Sequence, residues 1–261
     1  MAHASKKTTL PQWYHRLVAL GKRRPIKSYD FDEDLSDLEE VLDDDGDSNF
    51  EDVDDDNLSE MSYNGSDADE YYELKDRRED RKREIWEFAQ EDRESKARTI
   101  EDERQIGVEG QKTKERLQHA LQQGQQPPEI SIVNKKWNLY SAEYVEYCWD
   151  LAKGLFRQPY VSFTTLDLGR YDNPGPDDDV SCHVWLEEES CYFPNFSPPR
   201  RASLEPMVLR GRFDIELQFI SNKYIIIKIP REFVFLNFGP PPPSAPAIFM
   251  FTGKRFPRGL V

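Results

Sequence analysis

The sequence has few of the features that mark secreted or membrane proteins. It contains only three cysteines in 261 residues and no apolar signal segment at its N-terminus, which predicts a reducing compartment instead of a disulfide-built secreted fold. Its longest apolar runs, such as residues 247–251, are far shorter than the roughly 18 to 20 residues that a membrane span needs. These absences predict a soluble chain without membrane insertion.

The sequence also lacks the common catalytic signatures. It has no P-loop, no GxGxxG fingerprint, no GxSxG elbow and no HExxH zinc helix. Cys182, His183 and Cys191 lie near one another, but no CxxC pair accompanies them. Adjacent residues on a strand point to opposite faces, so Cys182 and His183 do not form a nucleophile and base. No catalytic residue, metal ligand or cofactor is therefore predicted.

Charge is segregated along the chain. Residues 1–27 hold seven Lys or Arg and no acid, whereas residues 28–73 hold 21 Asp or Glu and no Lys or Arg. The remainder is nearly neutral, so the net charge of -15 arises in this acidic block. Its few apolar groups cannot offset a backbone entropy of about 1 to 2 kcal/mol per residue. We therefore predict a basic N-terminal arm, 1–27, followed by a disordered acidic segment, 28–73.

Four apolar residues interrupt the acidic segment at helical spacing: Phe31, Leu35, Leu38 and Leu42. In a helix they would share one face, with carboxylates around the rest. Such a helix is too marginal to persist alone in water, but it can fold into a partner's groove while the acids steer it toward a basic surface. The pattern resembles acidic activation-type or chaperone-docking motifs. The alternative is a solubilising spacer in which the leucines have no role.

Three serines of the acidic segment have an acid three residues later, a pattern that acidophilic kinases accept: Ser36, Ser48 and Ser66. Phosphorylation would add about 1.5 to 2 negative charges at each site. In so acidic a tract the pattern also arises by chance.

The basic arm contains a compact cluster that is typical of a nuclear localisation signal: Lys22, Arg23, Arg24 and Lys27. The apolar residues of 13–20 also fit an amphipathic mitochondrial targeting segment. In a third interpretation the arm folds back on the acidic segment and has no targeting role, which is compatible with a cytoplasmic protein. Nuclear localisation is the favoured prediction.

Residues 74–126 are predicted to be a charged helical linker. The stretch of about 74–104 is rich in strong helix formers, but its apolar residues hold neither a heptad nor a continuous stripe. Gly107 and Gly110 are expected to interrupt it before a second short helix at about 111–123.

A packed core is predicted only beyond the double proline at 127–128. Of the chain's 32 aromatic residues, 22 lie in residues 127–261. Apolar and polar residues alternate over 208–220, and a turn and a second β-rich run at 224–229 follow, which predicts an antiparallel hairpin. Ser141 is a candidate N-cap for a helix over about 142–157.

These elements indicate the α+β class, with a small, mostly antiparallel sheet and one packed helix. The predicted domain covers residues 127–238, and a proline-rich C-terminal tail, 239–261, follows it. The disordered acidic segment and the charged helices precede this domain.

This organisation favours a non-enzymatic interaction protein, whose acidic segment docks on partners with a basic surface or a groove and whose α+β domain supplies a second binding surface. Histones and the transcription machinery are examples of such partners. Direct nucleic-acid binding is not favoured, because phosphates would repel the acidic segment.

The alternative is an enzyme of unrecognised family in residues 127–261. Asp214, Glu216 and Gln218 alternate on one predicted strand face, as acidic and Gln groups do in metal-dependent nucleases of the PD-(D/E)xK type. The lysine of that motif is missing here, and an ordinary solvent face of a strand explains the same residues.

Overall fold

The computed structural model describes five stretches of the chain: 10–35, 63–152, 156–165, 180–187 and 189–256. The chain divides into two compact units, Met1–Glu94 and Ser95–Val261, and one long helix contributes residues to both. Each unit has its own buried core.

The described part of the N-terminal unit contains three helical elements. Helix α1, Gln12–Gly21, is followed by a 3₁₀ helix, Ser28–Asp34, and both pack with the first part of helix α2, Ala68–Gln122. All three elements contribute to a small core: Tyr14, Leu17, Phe31 and Leu74. The start of the segment that was predicted to be disordered is therefore a 3₁₀ helix, because Phe31 supplies an apolar side chain that α1 and α2 bury.

Helix α2 runs without a break through Gly107 and Gly110, so the prediction of two shorter helices is wrong. A glycine inside a helix costs only about 1 kcal/mol relative to alanine, which the surrounding helix formers tolerate. Gly110 is buried, and a Cβ atom there would lie 2.6 Å from Cγ2 of Thr252. Gly110 thus lets the helix approach the sheet closely and does not end the helix.

The C-terminal unit contains an eight-stranded antiparallel sheet, which is larger than the small sheet predicted. Its strands are β1 Lys135–Tyr140, β2 Tyr160–Thr165, β3 Val180–Leu186, β4 Glu189–Phe196, β5 Met207–Leu209, β6 Ile215–Phe219, β7 Tyr224–Pro230 and β8 Ile248–Arg255. The spatial order is β4-β3-β2-β1-β8-β7-β6-β5. Two four-stranded halves thus join where β1 pairs with β8, and the sheet is nearly closed on itself.

The predicted hairpin is confirmed, because β6 and β7 pair in antiparallel fashion on either side of the turn at 221–223. The run 208–220, however, is not one strand. Its first residues belong to β5, and a turn that contains Gly211 separates them from β6. A Cβ atom on Gly211 would lie 2.9 Å from the ring of Phe193, so this turn sits close against β4.

The predicted boundary between a domain ending at residue 238 and a proline-rich tail is wrong. Strand β8 lies within that tail, pairs with both β1 and β7, and buries Phe249 and Phe251 completely. The proline run at 240–243 only connects a short helix, α4 Arg231–Val234, to β8. The prolines are a loop inside the fold, and the apolar run after them is a core strand.

The helix predicted at 142–157 is shorter than expected, so the prediction of one packed helix holds only in part. Helix α3 covers Ala142–Cys148, and a 3₁₀ turn, Asp150–Ala152, follows. Ser141 caps it as predicted, because its Oγ accepts the backbone N–H of Tyr144 at 3.3 Å. Tyr144 and Cys148 are buried toward the sheet.

Candidate interaction site

Two of the four predicted docking residues are buried within the N-terminal unit. Phe31 exposes 1% of its surface, and the guanidinium of Arg77 lies 5.6 Å from the centre of its ring. Leu35, directly after the 3₁₀ helix, is buried as well. Leu38 and Leu42 lie outside the described residues. Docking by these four residues stays a prediction, and Phe31 and Leu35 are seen to hold the segment on its own protein.

Ion pairs fix the 3₁₀ helix from both sides. Arg24 donates from Nη1 to Oδ2 of Asp30 at 2.8 Å, and Asp30 also accepts the backbone N–H of Lys27 at 2.7 Å. The hydrogen bond from Arg24 holds the pKa of Asp30 below its usual value. From α2, Arg81 donates from Nε to Oδ1 of Asp32 at 2.8 Å. The basic arm therefore does pair with the first acids of the acidic segment.

The far end of the acidic segment is held by Asp67, at the start of α2. Its Oδ1 accepts the hydroxyl of Tyr63 at 2.6 Å, and its Oδ2 accepts the hydroxyl of Tyr14 at 2.8 Å. These two hydrogen bonds lower the pKa of Asp67. Leu35 and Tyr63, which border residues 36–62, thus belong to the same small unit. We refer to residues 36–62 as the acidic stretch.

The four predicted targeting residues lie between α1 and the 3₁₀ helix. Lys22 and Arg23 are exposed. Arg24 is engaged in the ion pair with Asp30, and the ammonium of Lys27 lies 5.6 Å from the ring centre of Tyr29. A receptor that reads an extended basic peptide would have to open this turn, and nuclear localisation stays a prediction.

One of the three predicted phosphorylation sites is described. Ser66 lies in the turn that precedes α2 and is exposed, while Ser36 and Ser48 lie outside the described residues. A phosphate just before a helix N-terminus is electrostatically favourable, so a modified Ser66 would be compatible with α2.

The three cysteine and histidine candidates do not converge on a reaction centre. Cys182 and Cys191 are buried on the inner side of β3 and β4, whereas His183 is half-exposed on the outer side, as the alternation predicted. Burial raises the pKa of both thiols, which disfavours the thiolate that a nucleophile or a metal ligand requires.

The residues of the nuclease alternative are also dispersed. Asp214 is exposed before β6, Glu216 forms an ion pair with Lys228 at 2.7 Å, and Gln218 is buried and donates to the carbonyl of Leu204. Across the described stretches, no group of three or more His, Cys, Asp or Glu could hold a metal ion. Nothing in this arrangement favours metal-dependent catalysis.

A buried carboxyl on α2 had no counterpart among the predictions. Glu103 is 3% exposed, and its Oε2 accepts the backbone N–H of Ser141, the cap of α3. Burial raises the pKa of Glu103 to about 8, although hydrogen bonding from Ser141 and Gln158 acts in the opposite direction. In the sequence Glu103 is one of many acids in a charged helix, and no local signal sets it apart.

A second unpredicted feature is a set of aromatic side chains on the outer side of β2 to β4. Tyr160, Trp185 and Tyr192 belong to it. A signal for it was present, because His183 and Trp185 alternate with apolar residues that the strand buries.

Comparisons with protein families, with curated proteins and with solved structures found no match for this chain. Within the stretches that the structure describes, no helix is long and apolar enough to cross a membrane.

Proposed function

We propose that this protein is a non-enzymatic interaction protein whose N-terminal unit presents the acidic stretch, 36–62, to partners with a basic surface. The proposal rests on the observation that the residues at both ends of this stretch are held in the N-terminal unit. Leu35 is buried at one end, and Tyr63 is hydrogen-bonded to Asp67 at the other. Between them the sequence places 13 acids and no Lys or Arg. Histones and the transcription machinery are examples of such partners, and a nuclear location is part of the proposal.

The charge pairs of the unit support this role. The first acids after the basic arm, Asp30 and Asp32, already have arginine partners, and these partners are Arg24 and Arg81. Those arginines are occupied by residues outside the acidic stretch. In this proposal the charge of the stretch acts on other molecules, where it would steer association and make it dependent on salt.

Holding both ends also favours binding energetically. Ordering a segment on a partner costs conformational entropy, and a segment whose two ends are already fixed has less of it to lose. The N-terminal unit thus reduces the entropy that the stretch loses when it binds.

The test compares two variants that each remove three negative charges. D54N/D55N/D56N changes the acidic stretch, and E87Q/E91Q/D102N changes exposed acids of α2. Each variant is titrated with a lysine-rich peptide over a range of salt concentrations, and proteins captured from nuclear extract are compared. If each exposed charge contributes about 0.5 kcal/mol, the first variant binds roughly tenfold more weakly at low salt.

The control variant should bind like the unchanged protein. Equal weakening by both variants would show that net charge alone matters and that the acidic stretch has no special part. Binding that does not respond to salt would also contradict the proposal.

A further inference from the structure

The turn before helix α2 contains the only Asn-Gly pair in the sequence, Asn64 and Gly65. Asn64 is exposed, and both residues lie outside any helix or strand. The hydrogen-bond pattern of α2 begins at the carbonyl of Asp67, which accepts the backbone N–H of Tyr71 at 3.0 Å. The amide nitrogen of Gly65 therefore precedes the helix and is not part of its hydrogen bonding.

Packing explains why residue 65 is glycine. A Cβ atom on Gly65 would lie 2.8 Å from Cε1 of Tyr63 and closer still to its hydroxyl group. The Tyr63 ring cannot simply move aside, because its hydroxyl donates to Oδ1 of Asp67 at 2.6 Å and its edge contacts the ring of Tyr71. A larger residue at position 65 would push Tyr63 away from Asp67. The contact that holds this end of the acidic stretch thus requires a glycine directly after Asn64.

The same glycine makes Asn64 chemically reactive. Without a Cβ atom at position 65, the backbone nitrogen of Gly65 can approach Cγ of Asn64 unobstructed. Attack forms a bond from this nitrogen to Cγ and breaks the bond from Cγ to Nδ2, and ammonia leaves with the proton of the Gly65 amide. The product is a five-membered cyclic imide. Water then opens the imide at one of its two carbonyl carbons, which gives either aspartate or isoaspartate at position 64.

Isoaspartate would alter the turn more than aspartate does. Both products add one negative charge, but isoaspartate also places an extra CH₂ group in the main chain between Tyr63 and Gly65. Tyr63 reaches Asp67 only with its ring folded over Gly65, so a longer main chain at this point moves the ring relative to the carboxylate.

We propose that Asn64 is a site of spontaneous deamidation, and that isoaspartate formed there releases Tyr63 from Asp67. Water is the only other reactant, and the modification needs no enzyme. This chemistry of the turn does not depend on whether the acidic stretch binds partners.

The first test follows Asn64 in the full chain during incubation at neutral and mildly alkaline pH. Peptide mass spectrometry should show exchange of the amide for an acid, and an isoaspartyl methyltransferase with S-adenosylmethionine should label the isoaspartate. The rate should lie within about tenfold of the rate in a synthetic peptide of residues 63–70, a difference in barrier of at most about 1.36 kcal/mol. It should rise with pH, because the attacking nitrogen must lose its proton.

Asn134 and Asn222 are internal controls, because both are exposed but each is followed by a lysine. They should keep their amides over the same period. Asn64→Gln should abolish the conversion, since its longer side chain cannot form the five-membered imide. The site is overturned if Asn64 reacts no faster than Asn134 and Asn222, or if folding slows its reaction well beyond tenfold.

The second test reads the contact between Tyr63 and Asp67. The hydrogen bond from Tyr63 is the largest cause of the lowered pKa of Asp67. In the isoaspartate form, separated by chromatography, the pKa of Asp67 should therefore rise to the value found in Tyr63→Phe. The Asn64→Asp variant carries the same added charge on a normal main chain and should retain a lower pKa at Asp67. Equal pKa values of Asp67 in the isoaspartate form and in Asn64→Asp would overturn the release of Tyr63.

Discussion

Replacing Glu103 by glutamine should remove a pH dependence from the stability of the C-terminal unit. The pKa of Glu103 is raised from 4.5 to about 8 in the folded protein, because burial penalises the charged form. Between these two values the folded state keeps a proton that the unfolded state releases. Rising pH therefore favours unfolding, and the stability present below pH 4.5 is lost progressively up to about pH 8.

The size of the effect follows from the shift. Each pKa unit corresponds to about 1.36 kcal/mol, so the unchanged protein should lose roughly 3 to 5 kcal/mol through this one group between pH 4.5 and 8. The amide of the Glu103→Gln variant would keep an acceptor for the N–H of Ser141 and has no proton to lose. The variant should therefore match the unchanged protein near pH 5 and exceed it in stability at pH 8.

The assay is urea unfolding followed by tryptophan fluorescence at a series of pH values. Glu101→Gln serves as the control, because Glu101 is exposed on the same helix and its replacement should not alter the pH profile. Only the difference between variants is read, so the titration of other groups cancels. Parallel profiles for Glu103→Gln and the unchanged protein would refute the reasoning, since they would mean that the buried carboxyl is stably ionised.

Two further predictions concern the packing of the C-terminal unit. Gly110→Ala should destabilise it by about 1 to 3 kcal/mol, because the new Cβ would meet Thr252, whereas Gly107→Ala has no neighbour within 4 Å and should stabilise α2 by about 0.5 to 1 kcal/mol. The midpoint temperature of thermal unfolding should shift in opposite directions for the two variants. Adding Thr252→Ala to Gly110→Ala should restore the stability. Equal shifts for the two glycine variants would contradict the close approach of helix and sheet. Deleting 239–261 should abolish cooperative unfolding of the C-terminal unit, because β8 joins the two halves of the sheet; a native near-ultraviolet circular dichroism spectrum after the deletion would speak against its central position.

The hairpin of β6 and β7 was predictable because its signal is local. Ile215, Leu217 and Phe219 alternate with polar residues, and a short turn separates them from the next apolar run. The cap of α3 by Ser141 was predictable for the same reason, since the capping hydrogen bond spans only three residues.

The elements that escaped prediction depend on distant residues. Gly110 resembles a helix breaker in the sequence, and only Thr252, far along the chain, explains why it is glycine. The proline run at 240–243 resembles the start of a tail. It is shown to be a loop only because β8, which follows it, pairs with β1 and β7. Phe31 lies among acids, and its burial depends on α1 and on Leu74 of α2. The set of aromatic side chains on the outer side of β2 to β4 likewise requires the register of three strands.

The pairing of β1 with β8 has a kinetic consequence. Leu139 lies opposite Gly253, more than one hundred residues further along the chain. Contacts so far apart slow folding, because the entropy of closing the loop is lost before the contact forms. At a synthesis rate of about 5 to 20 residues per second, β1 would be synthesised roughly 5 to 25 seconds before β8. During that time, Trp137 and Leu139 would be accessible to chaperones.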